Sequence, residues 1–342
     1  MSTEDKSKGF IQMSRSNSDF LEEIFSESKI IKTFSNGLNR NLGGGLHPGK
    51  LFTIEGAPDG SKSAFAQQVI EKSSENMHYP ALFIISELSP LDLYTKSISR
   101  LSRKSATLIK SKAWEEDADS QGVLKSSISD ASDHFMKYAD CLYIEDFSKR
   151  VLTIEQIEKS VTTLKERIRR EWNVTDDPPF MLFIESIQRI HSKIEPGESH
   201  SLYIDKLTHD LKELARDLNI AIIALYDLPP FPMLYEDQSL YFSSQTRNTL
   251  GDTAYSANYT SYIEMGDWLL DIAIKDFSQK GIDAFTQKLE NAKRHFPLSN
   301  PKIRGFSPTY ARMLFSHKTA GVTEELFFIY LQATNEFLEI TL

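Results

Sequence analysis

One cysteine in 342 residues, Cys141, leaves no second thiol for it to pair with inside the chain. That excludes an internal disulfide framework and fits a reducing compartment. No apolar run approaches the roughly 20 residues that span a bilayer, and the polar, acidic N-terminus has no signal-peptide apolar core. The chain therefore reads as a cytoplasmic protein with no membrane segment. A basic balance is also absent: Asp and Glu number 48 against 39 Lys and Arg, a net charge of −9. Proteins that live on nucleic acid usually show a basic balance or a basic face, so any such contact here needs a local patch. The eight histidines show no metal-ligand spacing, and one cysteine cannot build a zinc site. No Ser/His/Asp arrangement stands in a nucleophile-elbow context, and no internal repeat is visible. What remains is an ordinary globular composition, 40% hydrophobic and 25% charged, in a length that suits one large α/β domain or two small ones.

Against these absences stands one eight-residue stretch, Gly56-Ala-Pro-Asp-Gly-Ser-Lys-Ser63. It nearly matches the phosphate-loop pattern Gly-x4-Gly-Lys-Ser/Thr, with Gly56, Lys62 and Ser63 in place and Ser61 standing where the pattern has glycine. In such a loop backbone N–H groups cradle phosphates, the lysine reaches the β/γ oxygens and the hydroxyl holds Mg²⁺. The apolar run Leu51–Glu55 reads as the preceding strand, and Ala64–Ile70 as the following helix, whose N-terminus is itself an anion site. The alternative is a glycine-rich turn before an ordinary helix. The lysine, the hydroxyl and the strand–loop–helix setting together favour a nucleotide site.

Further strand-like runs fall at Ala81–Ser86, Cys141–Ile144, Met181–Glu185, Ala221–Tyr226, Leu269–Ile274 and Glu325–Tyr330. Between them Ile154, Ile157, Val161, Leu164 and Ile168, and then Leu207, Leu211, Leu214 and Leu218, recur at helical spacing. Apolar strands alternating with amphipathic helices predict an α/β fold, doubly wound, with a mostly parallel sheet covered on both faces. Residues 1–30 read as a disordered arm carrying a short helix over Ser18–Phe25, capped by Ser18. Its Phe20, Leu21, Ile24 and Phe25 need a cover, either this subunit or, as favoured here, a neighbouring one. Residues 31–342 then form the main domain. A basic stretch at about 276–312, with Lys280, Lys288, Lys293, Arg294, Lys302, Arg304 and Arg312, reads as an insertion that is either a solvated excursion or a nucleic-acid contact.

The order of motifs resembles the RecA-type ATPases, and most closely the motor domain of DnaB-type replicative helicases, from about residue 33 to the end. Leu42-Gly-Gly-Gly-Leu-His-Pro-Gly-Lys50 is similar to the segment that precedes that family's phosphate loop. Phe83-Ile-Ile-Ser-Glu-Leu-Ser89 resembles the strand end bearing its catalytic glutamate, which puts Glu87 in that role. Leu142–Asp146 and Leu152–Ile157 match the strand and helix start that follow. Phe180–Arg189 sits where the family has an apolar strand ending in aspartate, and Leu211–Leu225 matches the helix and strand before its γ-phosphate-sensing glutamine.

The resemblance implies ATP and Mg²⁺ as cofactors, Gly60 as part of the loop, and a homo-oligomeric ring or filament with nucleotide between subunits. It also marks departures. Glu185 replaces the metal-side aspartate, Asp227 the sensing glutamine, and Ser316-His-Lys318 the Lys-x-Arg presented to the neighbour's nucleotide. A carboxylate roughly 4 Å from the γ-phosphate costs about 4 kcal/mol per charge pair at an effective dielectric near 20. Lys318 keeps charge without arginine's planar fork. Ser61 strains the loop by roughly 1–3 kcal/mol if its backbone needs positive φ. The segments that line the helicase channel are poor in basic residues: His191–Tyr203 offers Lys193, and Leu228–Ser244 offers none before Arg247. Tyr226, Phe231, Tyr235, Tyr241 and Phe242 suit packing better than base stacking.

Two readings follow. One is an ATP-dependent motor in which Lys62 binds phosphates, Ser63 and Glu185 hold Mg²⁺, Glu87 polarises water and Lys318 reaches a neighbour. The other is a nucleotide-binding scaffold or regulator that has lost turnover and faces a protein partner. The expectation is ATP binding with weak hydrolysis.

Overall fold

A computed structural model describes residues 29–58, 61–111, 118–192, 199–228, 257–265, 309–316 and 323–340, with Leu21, Asp283 and Gln287. The elements in chain order are α1 (Asn36–Asn41), β1 (Leu51–Gly56), α2 (Lys62–Met77), β2 (Ala81–Ile85), α3 (Pro90–Ser102), α4 (Ala106–Ser111) and α5 (Ala118–Phe135). They continue with β3 (Leu142–Asp146), α6 (Ile154–Glu171), β4 (Met181–Ile184), α7 (His200–Leu218), β5 (Ala221–Asp227), β6 (Tyr259–Met265), β7 (Thr309–Ser316), β8 (Thr323–Leu331) and β9 (Glu336–Glu339).

The described strands form one sheet in the order β3-β2-β4-β5-β1-β6-β7-β8-β9. From β3 to β6 every pairing is parallel; β7, β8 and β9 then continue it antiparallel. Strand residues alternate between two cores, as the period-2 geometry of a pleated strand requires. In β5, Ala221, Ile223 and Leu225 face one core with Phe65 and Val69 of α2. Ile222, Ala224 and Tyr226 face the other, with Ile157 and Val161 of α6 and Leu207 and Leu211 of α7. A sheet buried on both faces is the doubly wound architecture expected of the chain, and Tyr226, fully buried, is a packing residue.

Local signals set the helix starts. Ser89 caps α3 in a reciprocal capping box with Asp92, behind Pro90, and Thr153 does the same for α6 with Gln156. The N-terminus of α1 is closed from afar, where the Glu339 carboxylate accepts from the Asn36 and Gly37 N–H groups, both at 2.9 Å.

The strand beside β1 is Tyr259–Met265, and its polar composition hides it from a search for apolar runs. Thr260 and Ser261 are buried because their hydroxyls are satisfied across the ladder. Thr53 Oγ1 donates to Thr260 Oγ1 at 3.0 Å, and Ser261 Oγ donates to the Thr53 carbonyl at 3.5 Å. The run at Leu269–Ile274 lies outside the described residues, as does most of the basic stretch. The end of that stretch, from Thr309, belongs to β7. There Arg312 is buried and stands 3.7 Å from Glu325, so it is a sheet residue and not part of a solvated excursion. Of the Ser18–Phe25 segment only Leu21 is described, and it is helical and exposed.

Candidate functional site

The carboxyl ends of β1, β2, β4 and β5 meet at one edge of the sheet, where open α/β sheets bind ligands. Gly56 ends β1 and lies in register with Asp227, which ends β5. A side chain at Gly56 would meet the Ile263 carbonyl at 2.7 Å, so glycine is required where β6 approaches. The chain then turns into α2 through Ser61, whose φ of 58° and ψ of 14° are left-handed. The pattern's glycine would adopt that conformation freely; serine holds it at a cost of about 1–2 kcal/mol. Ser61 makes no side-chain cap bond to the helix, which leaves the first turn's N–H groups to an anion.

Lys62 opens α2 and is buried at 5% exposure, yet its ammonium is fully engaged. It donates to the carbonyls of Ala57 at 2.6 Å and Gly56 at 3.2 Å, and it pairs with Asp227 Oδ1 at 2.6 Å. Gln188, just past β4, fixes the position of Asp227 by gripping its backbone. It donates from Nε2 to the Asp227 carbonyl at 2.6 Å and accepts from the Asp227 N–H at 3.2 Å.

Glu185, the first residue after β4, turns towards the end of β2. Its Oε2 accepts from the N–H groups of Ser86 at 2.5 Å and Glu87 at 2.8 Å, and its Oε1 from the Leu88 N–H at 3.0 Å. The Ser86 hydroxyl adds a fourth bond at 3.3 Å. The carboxylate therefore anchors the β2–α3 turn. Glu87 is exposed, and Arg189 binds its Oε1 through Nε at 2.9 Å and again through a second guanidinium nitrogen. That pairing raises the Arg189 pKa further.

Ser63 sits in the first turn of α2, and its Oγ receives the Lys96 ammonium of α3 at 3.4 Å. Burial pulls the Lys96 pKa down, while the nearby charges of Asp92 and Glu185 hold it up. The loop fits a phosphate chain, because it offers a helix N-terminus, a lysine and a hydroxyl at the end of a buried strand. It does not fit a divalent cation as arranged. Mg²⁺ demands near-octahedral oxygen ligands, whereas the Ser63 hydroxyl faces an ammonium and the Glu185 carboxylate is taken up by three backbone N–H groups.

The structure thus brings Gly56, Ser61, Lys62, Ser63, Glu87, Glu185 and Asp227 to one edge; Gly60 and Lys318 lie outside the described residues. Sequence reasoning assigns no role to Lys96, Gln188 or Arg189. The available signals were that Gln188 and Arg189 lie four and five residues past the end of β4, and that Lys96 lies on the helix capped next to Glu87. Elsewhere the fold also gathers His78, Asp140 and Cys141, with ligand atoms within 4.8 Å of one another. The distance of His78 from the adjacent pair Asp140 and Cys141 along the chain conceals this grouping. Burial pushes the Cys141 thiol up to about 12, which keeps it protonated as the fold stands.

Comparison with known proteins agrees with this fold. The family described as DnaB-like helicase C terminal domain matches residues 31–230. The replicative DNA helicase DnaB of Pasteurella multocida is 25% identical over 188 residues, 54% of this chain and 36% of that protein. That of Rickettsia felis is 27% identical over 201 residues, 57% of this chain and 37% of that protein. The alignments thus span little more than a third of these relatives. Among solved structures, an ATPase domain superposes with a TM-score of 0.63 at 15% identity, over 96% of this chain and 99% of its own. A DnaB-like replicative helicase, described with its interactions with primase, gives a TM-score of 0.62 at 16% identity, over 98% of this chain and 68% of its own. At these identities the likeness shows the fold, which is RecA-like. Among the described residues no helix is long and apolar enough to cross a membrane.

Proposed function

The chain belongs to the family of DnaB-like helicase C-terminal domains, and on that premise we propose that it is an ATP-binding, oligomeric RecA-fold motor domain acting on nucleic acid with weak hydrolysis. The observation that carries this reading is the engaged Lys62. A buried lysine at the start of α2 and the end of a central parallel strand is what a nucleotide's β/γ phosphates require, and here Asp227 already occupies it. A triphosphate must displace that carboxylate before it can bind.

The residues take the following roles. Lys62 and the first-turn N–H groups of α2 hold the phosphates. Glu87 is the group able to polarise an attacking water, once released from Arg189. Phosphoryl transfer of this kind is mainly positioning and electrostatic stabilisation, and both are compromised while Asp227 and Arg189 hold their partners. Mg²⁺ supplies charge neutralisation to such chemistry in general, and the present donor set offers it no prepared site. Lys318 is proposed to act on a neighbouring subunit's nucleotide, and the basic residues from Lys280 to Arg304 to contact single strands.

A second reading has a specific observation behind it. Two working charges of the site, Lys62 and Glu87, are both neutralised by side chains of the same subunit, which suits a nucleotide-binding scaffold or regulator that meets a protein partner. ATP turnover measured with and without single-stranded DNA separates the two. Turnover that DNA stimulates supports the motor; nucleotide binding without turnover in either condition supports the scaffold. Lys62→Ala is expected to weaken ATP binding at least about tenfold, the scale of a lost charged contact, and equal affinities by calorimetry would remove the site assignment.

A further inference from the structure

Lys96 is a cation at the phosphate loop that, among the described residues, pairs with no carboxylate. It projects from α3, is half-buried, and its Nζ lies 3.4 Å from Ser63 Oγ. Among the described residues no carboxylate stands within ion-pair distance of it. The acidic groups around it are already committed. Asp92 serves Lys110 and Ser89, and Glu185 serves the 86–88 backbone. A partly desolvated ammonium is costly until an anion meets it, and the anion that this loop is shaped for is a phosphate chain.

The hydroxyl beside Lys96 is the atom that would ligate a divalent cation in a phosphate loop of the usual kind. An ammonium there neutralises charge and offers three hydrogen-bond donors without demanding six oxygen ligands. Resting on the reading of Gly56–Ser63 as a nucleotide site, we propose that Lys96 is a second phosphate-binding lysine that takes the cation's place beside Ser63, so that a nucleotide's polyphosphate binds without a divalent metal. Lys62 and Lys96 would then approach the polyphosphate from α2 and from α3.

The test uses the full chain and a fluorescent ADP analogue, titrated in Mg²⁺ and in EDTA. For the unaltered protein the two dissociation constants are expected to agree within about threefold, well under the tenfold that a lost charged contact represents. Lys96→Met should weaken binding in EDTA by about tenfold or more and restore a dependence on Mg²⁺, while Lys96→Arg, which keeps the charge, should bind as the unaltered protein does. A tenfold or greater loss in EDTA for the unaltered protein would overturn the role of Lys96 and leave the nucleotide site standing. Equal binding in EDTA by the Met variant would do the same. No binding in either condition would overturn the nucleotide reading itself. The comparison of the unaltered protein in the two buffers can still overturn the proposal even if a variant fails to fold.

Discussion

The Asp227 carboxylate stands 2.6 Å from the Lys62 ammonium, across the ends of two strands on which Asp227 and Gly56 share one register position. The sequence suggested that a carboxylate here would repel a γ-phosphate. The structure adds that it also competes for the lysine meant to bind that phosphate. Both effects act against nucleotide, and both arise from one residue that the backbone grip of Gln188 holds in place.

Asp227→Asn keeps the shape and removes the charge. At 44% exposure the carboxylate is well screened, so its effect is far below the roughly 4 kcal/mol of an unscreened pair. An increase in ATP affinity of about tenfold, or 1.4 kcal/mol, is expected by calorimetry. Unchanged or weaker affinity would mean that Asp227 does not contend with phosphate for Lys62.

The pair of Glu87 and Arg189 is exposed on both sides, at 56% and 59%. Exposed pairs contribute about 0–1 kcal/mol to stability, so Arg189→Ala should leave the urea midpoint nearly unmoved. Its effect should appear in turnover, which rises once Glu87 is free to face a water. Glu87→Gln should lower any hydrolysis by about 10²-fold, the usual scale for loss of a general base, while ATP still binds. If Arg189→Ala lowers turnover, the arginine assists the reaction and is no restraint on the base.

Much of the fold was legible because burial follows periodicity. Strands β1, β2, β4 and β5 are apolar runs that lie inside the sheet with both faces covered, and α6 and α7 show their buried stripes at helical spacing. Strand β6 was not legible, since Thr260 and Ser261 are buried through hydroxyl pairing with Thr53. The short β9 carries one fully buried residue, Phe337, between half-buried neighbours. At the site the strain at Ser61 could be anticipated from the missing glycine, and its φ of 58° bears that out. The partners of Glu185, Glu87 and Ser63 could not be. Each contact joins strand or helix ends some 30 to 100 residues apart, and no local pattern encodes which side chain arrives first.

Asp92 offers a test by pH. Hydrogen bonding from Lys110, then from Ser89, pulls its pKa down from the ordinary 3.8 to about 2. A carboxyl with a depressed folded-state pKa contributes stability that is fully present above its ordinary value and lost as pH falls towards about 2. With the side chain about a third exposed, screening reduces the contribution to about 1 kcal/mol. Asp92→Asn, which can still accept from the Ser89 N–H in the capping box, should therefore unfold at lower urea than the parent at neutral pH. The gap should narrow below about pH 4. A gap that stays constant with pH would assign the loss to the cap and not to the charge.

The Glu71–Arg100 pair is the opposite case to Glu87–Arg189, because both side chains are buried, at 5% and 4% exposure. Arg100 donates to Glu71 Oε2 at 2.5 Å, and Oε1 accepts from Gln67 at 2.7 Å and from the Ser97 hydroxyl at 2.6 Å. Arg100 also donates to the Asn335 carbonyl at 3.3 Å, so the network ties the phosphate-loop helix α2 to α3 and to the turn between β8 and β9. Removing one member of a buried pair leaves the other charged and unmatched, which costs about 3–5 kcal/mol. Arg100→Met, which keeps most of the volume, should therefore lower the unfolding free energy in urea by about 3 kcal/mol or more. Adding Glu71→Gln removes the stranded charge while keeping bonds to Gln67 and Ser97, and the double variant should regain most of the loss. If the double variant is as unstable as Arg100→Met alone, packing of the arginine stem carries the stability and the ion pair contributes little.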